Sequence, residues 1–144
     1  MPRLILFAAC EKVILDAQGL ASLITLIEKV HVGVPPGVDV SRPIAIPMHW
    51  SVITIWRVEN DEASQYEQKV EIFTRSGDIA MHTEPQRLVP GAPSSTGVKI
   101  ISSLTAVPIS DGPLELRLSC RRIGDPAWQQ EASYPIDVAL VRQE

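Results

Sequence analysis

The alternation of apolar and polar residues predicts strands along most of this chain, and the most apolar stretch is residues 4–32. Its two halves read LILFAACEKVIL (4–15) and LASLITLIEKVHV (20–32). Between the halves, Asp16 can bond the backbone two residues on, and Gly19 can adopt positive φ without steric cost. These two residues are typical of a turn. The pattern therefore predicts a β-hairpin that spans residues 4–32.

The second half of this stretch is also compatible with a helix, because apolar residues from Leu20 to Val30 recur at helical spacing. Its composition favours a strand, since Ile24, Thr25, Ile27 and Val30 are all β-branched and such side chains fit a pleated sheet. A glycine-containing turn directly before the segment favours the same assignment. We therefore predict a second strand here.

Both predicted hairpin strands are apolar on both faces, whereas a strand of a two-layer sandwich normally has one polar face. Two interpretations are open. A bulge or loop of the same chain covers the outer face, or a second copy covers it, because soluble monomers seldom expose so large an apolar patch. The second interpretation predicts a homodimer or protein interface on four side chains, namely Leu4, Leu6, Leu23 and Ile27.

Six further segments show the alternation and the β-branched or aromatic composition of strands. In the first of them, Trp50 and Trp56 share one face and are expected to anchor the core. In the last, Trp128 shares a register with the apolar residues up to Val138, and Pro135 is expected at an edge or a bulge. The six segments are residues 48–59, 66–74, 79–83, 98–109, 114–122 and 128–141.

Two proline-rich stretches, GVPPGVDVSRPIAIP (33–47) and EPQRLVPGAPSSTG (84–97), are predicted as long loops. Proline lacks the backbone donor and restricts the residue before it, so residues 33–47 are not expected to form a central strand. A crossover of this length typically carries a chain between the two sheets of a Greek key. About eight strands and no internal repeat predict an all-β fold. We expect one domain over residues 1–144, an antiparallel β-sandwich of Greek-key or jelly-roll type.

Charge and hydropathy narrow the range of partners and locations. The net charge is −4 and the 13 Lys and Arg are scattered, so no nucleic-acid partner is expected. Arg121 and Arg122 are interpreted as a guard of an edge strand. The apolar run before Cys10 is short of the roughly 7–15 residues of a signal-peptide core, and no stretch reaches the roughly 18 of a membrane span. The sequence thus predicts a cytoplasmic protein without a membrane partner.

Residues that could carry chemistry show no recognised spacing. His31, His49 and His82 are not placed as metal ligands usually are. Cys10 and Cys120 stand among apolar strand residues, which is typical of buried free thiols. Neither a glycine-rich nucleotide motif nor a serine nucleophile motif is present. We therefore predict no metal, no cofactor and no catalytic residues.

Three hypotheses for the function follow from these observations. The first is a non-catalytic β-sandwich that binds another protein or a copy of itself. The second is a small-molecule binder or hydrolase with a pocket between residues 33–47 and 84–97, where the fold assembles His49, His82 or Cys120. The third is a calcium-dependent membrane module, which needs carboxylates clustered at one end, whereas the aspartates here occur about one per turn.

The first fifty or so residues carry a resemblance to a known family. The residues concerned are Pro2-Arg3, Ala8, Cys10-Glu11, Val13-Ile14, Asp16, Gly19 and Ser22-Leu23-Ile24, followed by Pro35-Pro36. This segment resembles a family of small uncharacterised bacterial proteins that are grouped as a domain of unknown function. The resemblance implies a compact bacterial β-sandwich without an assigned activity. Because it consists of a hairpin signature, it transfers no functional residue.

Overall fold

The computed structural model describes residues 1–91 and 96–142, which form an all-β fold and so confirm the predicted fold class. A short 3-10 turn, Asn60–Glu62, interrupts the strands. No helix in these residues has the length and hydropathy needed to cross a membrane. The strands are β1 (Arg3–Leu15), β2 (Ala21–Leu26), β3 (Lys29–Val34), β4 (Ile44–Arg57), β5 (Tyr66–Phe73), β6 (Ile79–His82), β7 (Gln86–Arg87), β8 (Gly97–Ile109), β9 (Leu114–Arg122) and β10 (Gln129–Arg142).

The strands form two sheets. The first sheet has the order β2-β1-β4-β8, and the second has the order β3-β10-β9-β5-β6, with the two-residue strand β7 also paired to β5. Neighbouring strands are antiparallel except β3 and β10, which run parallel. The parallel pair departs from the antiparallel sandwich expected. It forms where the chain passes from β2 in the first sheet directly to β3 in the second sheet.

The core lies between the sheets and is built by alternation along the long strands. Trp50 and Trp56 on β4 are each 1% exposed, which confirms their predicted role as core anchors. From the second sheet, Leu114, Leu116 and Leu118 on β9 project into the same core, while the residues between them face outward. Burial of these apolar side chains is the main source of the fold's stability.

A polar network crosses this core and joins the two sheets. Gln68 on β5 is buried, and its Oε1 accepts hydrogen bonds from Trp56 Nε1 at 2.7 Å and Thr54 Oγ1 at 2.8 Å. Its Nε2 donates to Gln86 Oε1 at 2.8 Å, and Gln86 Nε2 donates to Ser102 Oγ at 2.9 Å. Among the described residues no buried side-chain nitrogen or oxygen lacks a hydrogen-bond partner, so every buried polar side-chain atom of this network is satisfied.

The second half of the apolar stretch forms two strands rather than one. β2 ends at Leu26, β3 begins at Lys29, and the two belong to different sheets. Thr25, within β2, adopts φ +54, which lies outside the extended region and which a β-branched residue seldom adopts. Leu26 still pairs with Cys10, and the Ile27 N–H still bonds to Ala9 O, so the chain crosses from the first sheet to the second at Ile27 and Glu28.

The first proline-rich stretch is shorter as a loop than predicted, because β3 ends at Val34 and β4 begins at Ile44. Pro47 therefore lies within a strand. This part of β4 pairs with β8 only, since β1 pairs with β4 no earlier than Ser51. Proline is tolerated where a strand has a partner on one side.

The prediction for Trp128 is wrong. A bulge between Gln130 and Ala132 shifts the register of β10 by one residue, so Trp128 lies on the outer face of the second sheet. There it lies beneath the Arg121 guanidinium at 4.2 Å and the Lys69 ammonium at 4.8 Å. Arg121 also donates a hydrogen bond to Glu67 Oε1 at 2.8 Å. Because Arg121 lies on β9, which is an interior strand, the interpretation that it guards an edge strand is wrong.

The second proline-rich stretch lies only partly within the described residues, because residues 92–95 fall outside them. Before this gap the chain is held against the sandwich. Leu88 is fully buried in the core, and its backbone N–H donates to Tyr66 O at 2.9 Å. The predicted loop thus contributes a core side chain, which its proline-rich sequence did not indicate.

Candidate functional site

Among the described residues, the end of the first hairpin carries the largest group of exposed large apolar side chains; we call it the ribbon and define it as residues 11–26. β1 pairs with β4 up to Cys10 and with β2 from Cys10 to Leu15, so the ribbon has two strands only. Five of its large apolar side chains are between 43 and 59% exposed. They are Ile14, Leu15, Leu20, Ile24 and Leu26.

The turn of the ribbon is well ordered and confirms the predicted hairpin. Asp16 Oδ1 accepts hydrogen bonds from the backbone N–H of Gln18 at 2.8 Å and of Leu20 at 2.9 Å. Gly19 adopts φ +78 and donates its N–H to Asp16 O at 3.0 Å. A polar turn residue and a glycine in the left-handed region thus close the ribbon tightly.

Both faces of the ribbon carry exposed apolar side chains. Residues directly opposite in an antiparallel pair share a face, so Ile24 lies on the face of Lys12, and Leu23 lies on the face of Val13. Among the described residues no loop covers either side of the ribbon, as the exposure of Ile14, Leu15 and Ile24 shows. The interpretation that a loop of the same chain covers the outer face is therefore wrong for the ribbon.

The row of residues beside the ribbon on the outer face of the first sheet is apolar as well. Cys10 pairs with Leu26, and the next row across the sheet joins Ala8, Ile53 and Ile101. This row alternates with the core-facing residues of β4, so it faces away from the core. Ala8 and Ile53 are nonetheless only 3% and 0% exposed, so this row is buried and does not extend the exposed apolar surface of the ribbon.

The four side chains predicted to form an interface do not share one surface. Ile27 is buried in the core, and Leu4 packs against the core. Leu6 and Leu23 are partly buried and project to opposite faces, because Leu6 alternates with core-facing Phe7 while Leu23 lies on the same face as Ala9. Whether the chain has an interface stays a prediction, but the exposed apolar side chains are those of the ribbon.

The crossing from β2 to β3 is fixed by backbone hydrogen bonds. Ile27 N–H donates to Ala9 O at 2.9 Å, and Tyr134 Oη donates to the same carbonyl at 3.5 Å. One residue further on, Asp137 N–H donates to Glu28 O at 2.9 Å. The base of the ribbon is thus attached to both sheets.

Two grooves flank this crossing and differ in charge. The basic groove has a volume of about 510 Å³, and residues from β1, β2, β3 and β4 surround it. Its lining residues are Glu11, Lys12, Ile24, Ile27, Lys29, Val30, His31, Met48 and His49. The acidic groove, about 420 Å³, is lined by Glu28, Tyr134, Pro135 and Asp137.

The titratable groups proposed from the sequence are only partly brought together. His49 lines the basic groove together with His31, whereas His82 lines a small cavity of about 20 Å³ under β6. Cys120 lines a third depression with Arg122, and burial raises the pKa of its thiol to about 12. In the described residues no group of three or more His, Cys, Asp or Glu is placed to hold a metal ion.

The predicted pocket between the two proline-rich loops is not found among these cavities. Ser41, from the first loop, lines an open depression of about 390 Å³ with Arg75 and Asp111. These five cavities do not combine residues of 33–47 with the described residues of 84–97, and residues 92–95 lie outside the described chain. The hydrolase hypothesis stays a prediction.

Sequence reasoning missed the lysines of the basic groove. Lys12 lies on β1 and Lys29 on β3, seventeen positions apart in strands of different sheets. They line one groove because the chain changes sheets between β2 and β3, for which a run of β-branched residues gives no sign. The one available signal was the position of Lys12 and Lys29 next to glutamates within otherwise apolar strands, which also fits ordinary solvent-facing residues.

Comparison with known proteins gives no family assignment. No protein-family model matches this chain, and no curated protein shows significant similarity to it. The resemblance of the opening segment to small bacterial proteins therefore stays a prediction.

Proposed function

We propose that this chain is a non-catalytic β-sandwich that associates with a second copy of itself through the ribbon. The observation that carries the proposal is the exposure of five large apolar side chains on residues 11–26. Apolar patches of this kind are typical of interaction surfaces. The absence of any recognised catalytic spacing in the sequence agrees with a binding role.

A second copy suits this surface because β2 is an edge strand. Residues 21–26 read ASLITL, without a charge or a proline, so the usual guards against edge pairing are missing. Two antiparallel edges related by a two-fold axis present the same atoms to each other, which makes such a contact self-complementary. The irregular backbone at Thr25 limits the regular hydrogen-bonding edge of β2 to residues 21–24. The area buried in the dimer would therefore come mainly from apolar side chains and less from strand pairing.

An ordinary dimer interface needs only a small part of this protein's surface. A stable interface takes about 800 Å² from each partner. The chain exposes 8482 Å² in total, of which that area is about a tenth. Most residues of the ribbon are exposed, so the ribbon would be the main source of this area.

We further propose a bacterial, cytoplasmic protein. The bacterial origin is supported by the resemblance of the opening segment. The cytoplasmic location is supported by the cysteines, because Cys10 and Cys120 are both free and buried. Disulfides persist in oxidising compartments, and a protein of the cytoplasm keeps its thiols reduced.

Light scattering after size exclusion tests the self-association. We expect a dimer for the wild-type chain at tens of micromolar and a monomer for the double variant Leu15→Lys/Leu20→Lys, whose parent side chains are 50% and 59% exposed. The matched control is Ile79→Lys/Val141→Lys, whose parent side chains are 50% and 57% exposed on the second sheet. A monomeric wild-type chain, or equal dissociation in both variants, would contradict the proposal.

A further inference from the structure

The basic groove combines an apolar floor with a cationic rim. Ile27, Val30 and Met48 belong to the core or pack against it, so the floor of the groove is the core itself. At the rim are the ammonium groups of Lys12 and Lys29 and the imidazoles of His31 and His49. A site with an apolar body and a few polar groups at one end is typical of small-molecule sites, and about 510 Å³ lies in their usual range.

The charge of the rim favours a ligand of negative charge. The protein as a whole carries −4, yet the rim has two lysines against one carboxylate, that of Glu11, and two imidazoles that can donate hydrogen bonds. Lysine ammonium groups bind carboxylates through charge-assisted hydrogen bonds. A local positive rim on an acidic protein attracts anions to this place rather than to the rest of the surface.

The neighbouring groove provides an internal contrast. Glu28 and Asp137 line the acidic groove, of similar size, on the other side of the crossing, and Glu28 directly precedes Lys29 in the chain. An amphipathic anion would meet repulsion there and attraction at the basic rim. The two grooves thus differ in the charge of the ligand they accept.

We propose that the basic groove binds a small amphipathic carboxylate, such as a medium-chain fatty acid, with its chain on the apolar floor and its carboxylate at the lysines and histidines. The hydrocarbon chain would cover the core side chains of Ile27, Val30 and Met48, from which water is displaced. The carboxylate would remain at the open rim, where it is partly solvated. This inference does not depend on self-association.

Octanoate is the probe that tests this site, and proton NMR of the imidazole Cε1–H signals is the readout. The experiment uses the monomeric background Leu15→Lys/Leu20→Lys as well as the wild-type chain, so that a second copy over the ribbon cannot hide the groove. We expect saturable shifts of the His31 and His49 signals. His82 lies in a different cavity, and its signal should stay unchanged.

Variants and analogues separate the two parts of the proposal. Lys29→Glu should weaken octanoate binding at least tenfold, while Lys99→Glu, the same charge change on the exposed outer side of β8, should leave it within twofold. Acetate lacks the chain and octanol lacks the charge, so both should bind at least tenfold more weakly than octanoate. Equal binding of acetate or octanol, loss of binding in both variants, or unchanged histidine signals in folded protein would each overturn the proposal. Circular dichroism of every variant establishes that it is folded.

Discussion

Replacing Gln68 by leucine would test whether the polar network stabilises the fold as its geometry indicates. Leucine has nearly the volume of glutamine, so the change leaves no cavity, but it removes the acceptor of two buried donors. Trp56 Nε1–H and Thr54 Oγ1–H, which now bond at 2.7 and 2.8 Å, would be left without a partner. An orphaned buried donor costs about 1–3 kcal/mol, so with two such donors we expect a loss of about 2–6 kcal/mol in the free energy of unfolding.

Urea unfolding followed by circular dichroism measures this loss, because tryptophan fluorescence would itself respond to a change beside Trp56. The midpoint should fall while the slope stays constant, since the surface exposed on unfolding is unchanged. The matched control is Gln130→Leu at an exposed position of β10, which should stay within about 0.5 kcal/mol of wild type.

A double variant distinguishes the orphaned donors from a general loss of packing. In Gln68→Leu/Thr54→Val one of the two orphans no longer exists, so about 1 kcal/mol of the loss should be recovered relative to Gln68→Leu alone. If Gln68→Leu lies within about 0.5 kcal/mol of wild type, or the second substitution simply adds its own cost, the reasoning from unsatisfied donors is refuted.

Other predictions concern backbone strain and the buried thiols. Thr25→Gly should raise stability by up to about 1 kcal/mol in urea unfolding, because φ +54 is strained for threonine, whereas Thr105→Gly on β8 should lower it. Cys120 and Cys10 should resist a disulfide reagent at pH 8 until urea unfolds the chain, because burial raises both thiol pKa values. Burial, and then the nearby Glu131 carboxylate, raise the pKa of the folded Cys120 thiol to about 12. The folded thiol therefore stays protonated at pH values where the thiol of the unfolded chain ionises. Stability should therefore fall as the pH rises above 9, less so in Cys120→Ala.

The long alternating strands were predictable because their register depends on local pattern alone. β9 has the bounds expected, and the face of β4 that carries Trp50 and Trp56 is the core face. In both strands one face is apolar over several residues, and a slip of one residue would expose all of them. Patterning of this strength determines burial without knowledge of the partner strands.

The elements that were not predictable depend on one-residue irregularities. The bulge in β10 reverses the side on which Trp128 lies, and a crossing at Ile27 and Glu28 divides one apolar stretch between two sheets. Neither position carries a glycine or proline that would announce it. Gln68 was missed for a related reason, since a glutamine at an inward position is read as a break in the pattern unless its hydrogen-bond partners are known.

The candidate site shows the same dependence, since the basic groove forms where the chain leaves β2 for β3 and combines residues of β3 with residues of β1 and β4. Ile24 beside this crossing has two roles, one on the exposed ribbon and one in the lining of the groove. A second copy over the ribbon and a carboxylate chain in the groove would then compete for the same side chain. Linkage requires that each weakens the other by the same factor. Saturating octanoate should therefore raise the dimer dissociation constant in light scattering, and an unchanged constant would mean that the two surfaces are independent.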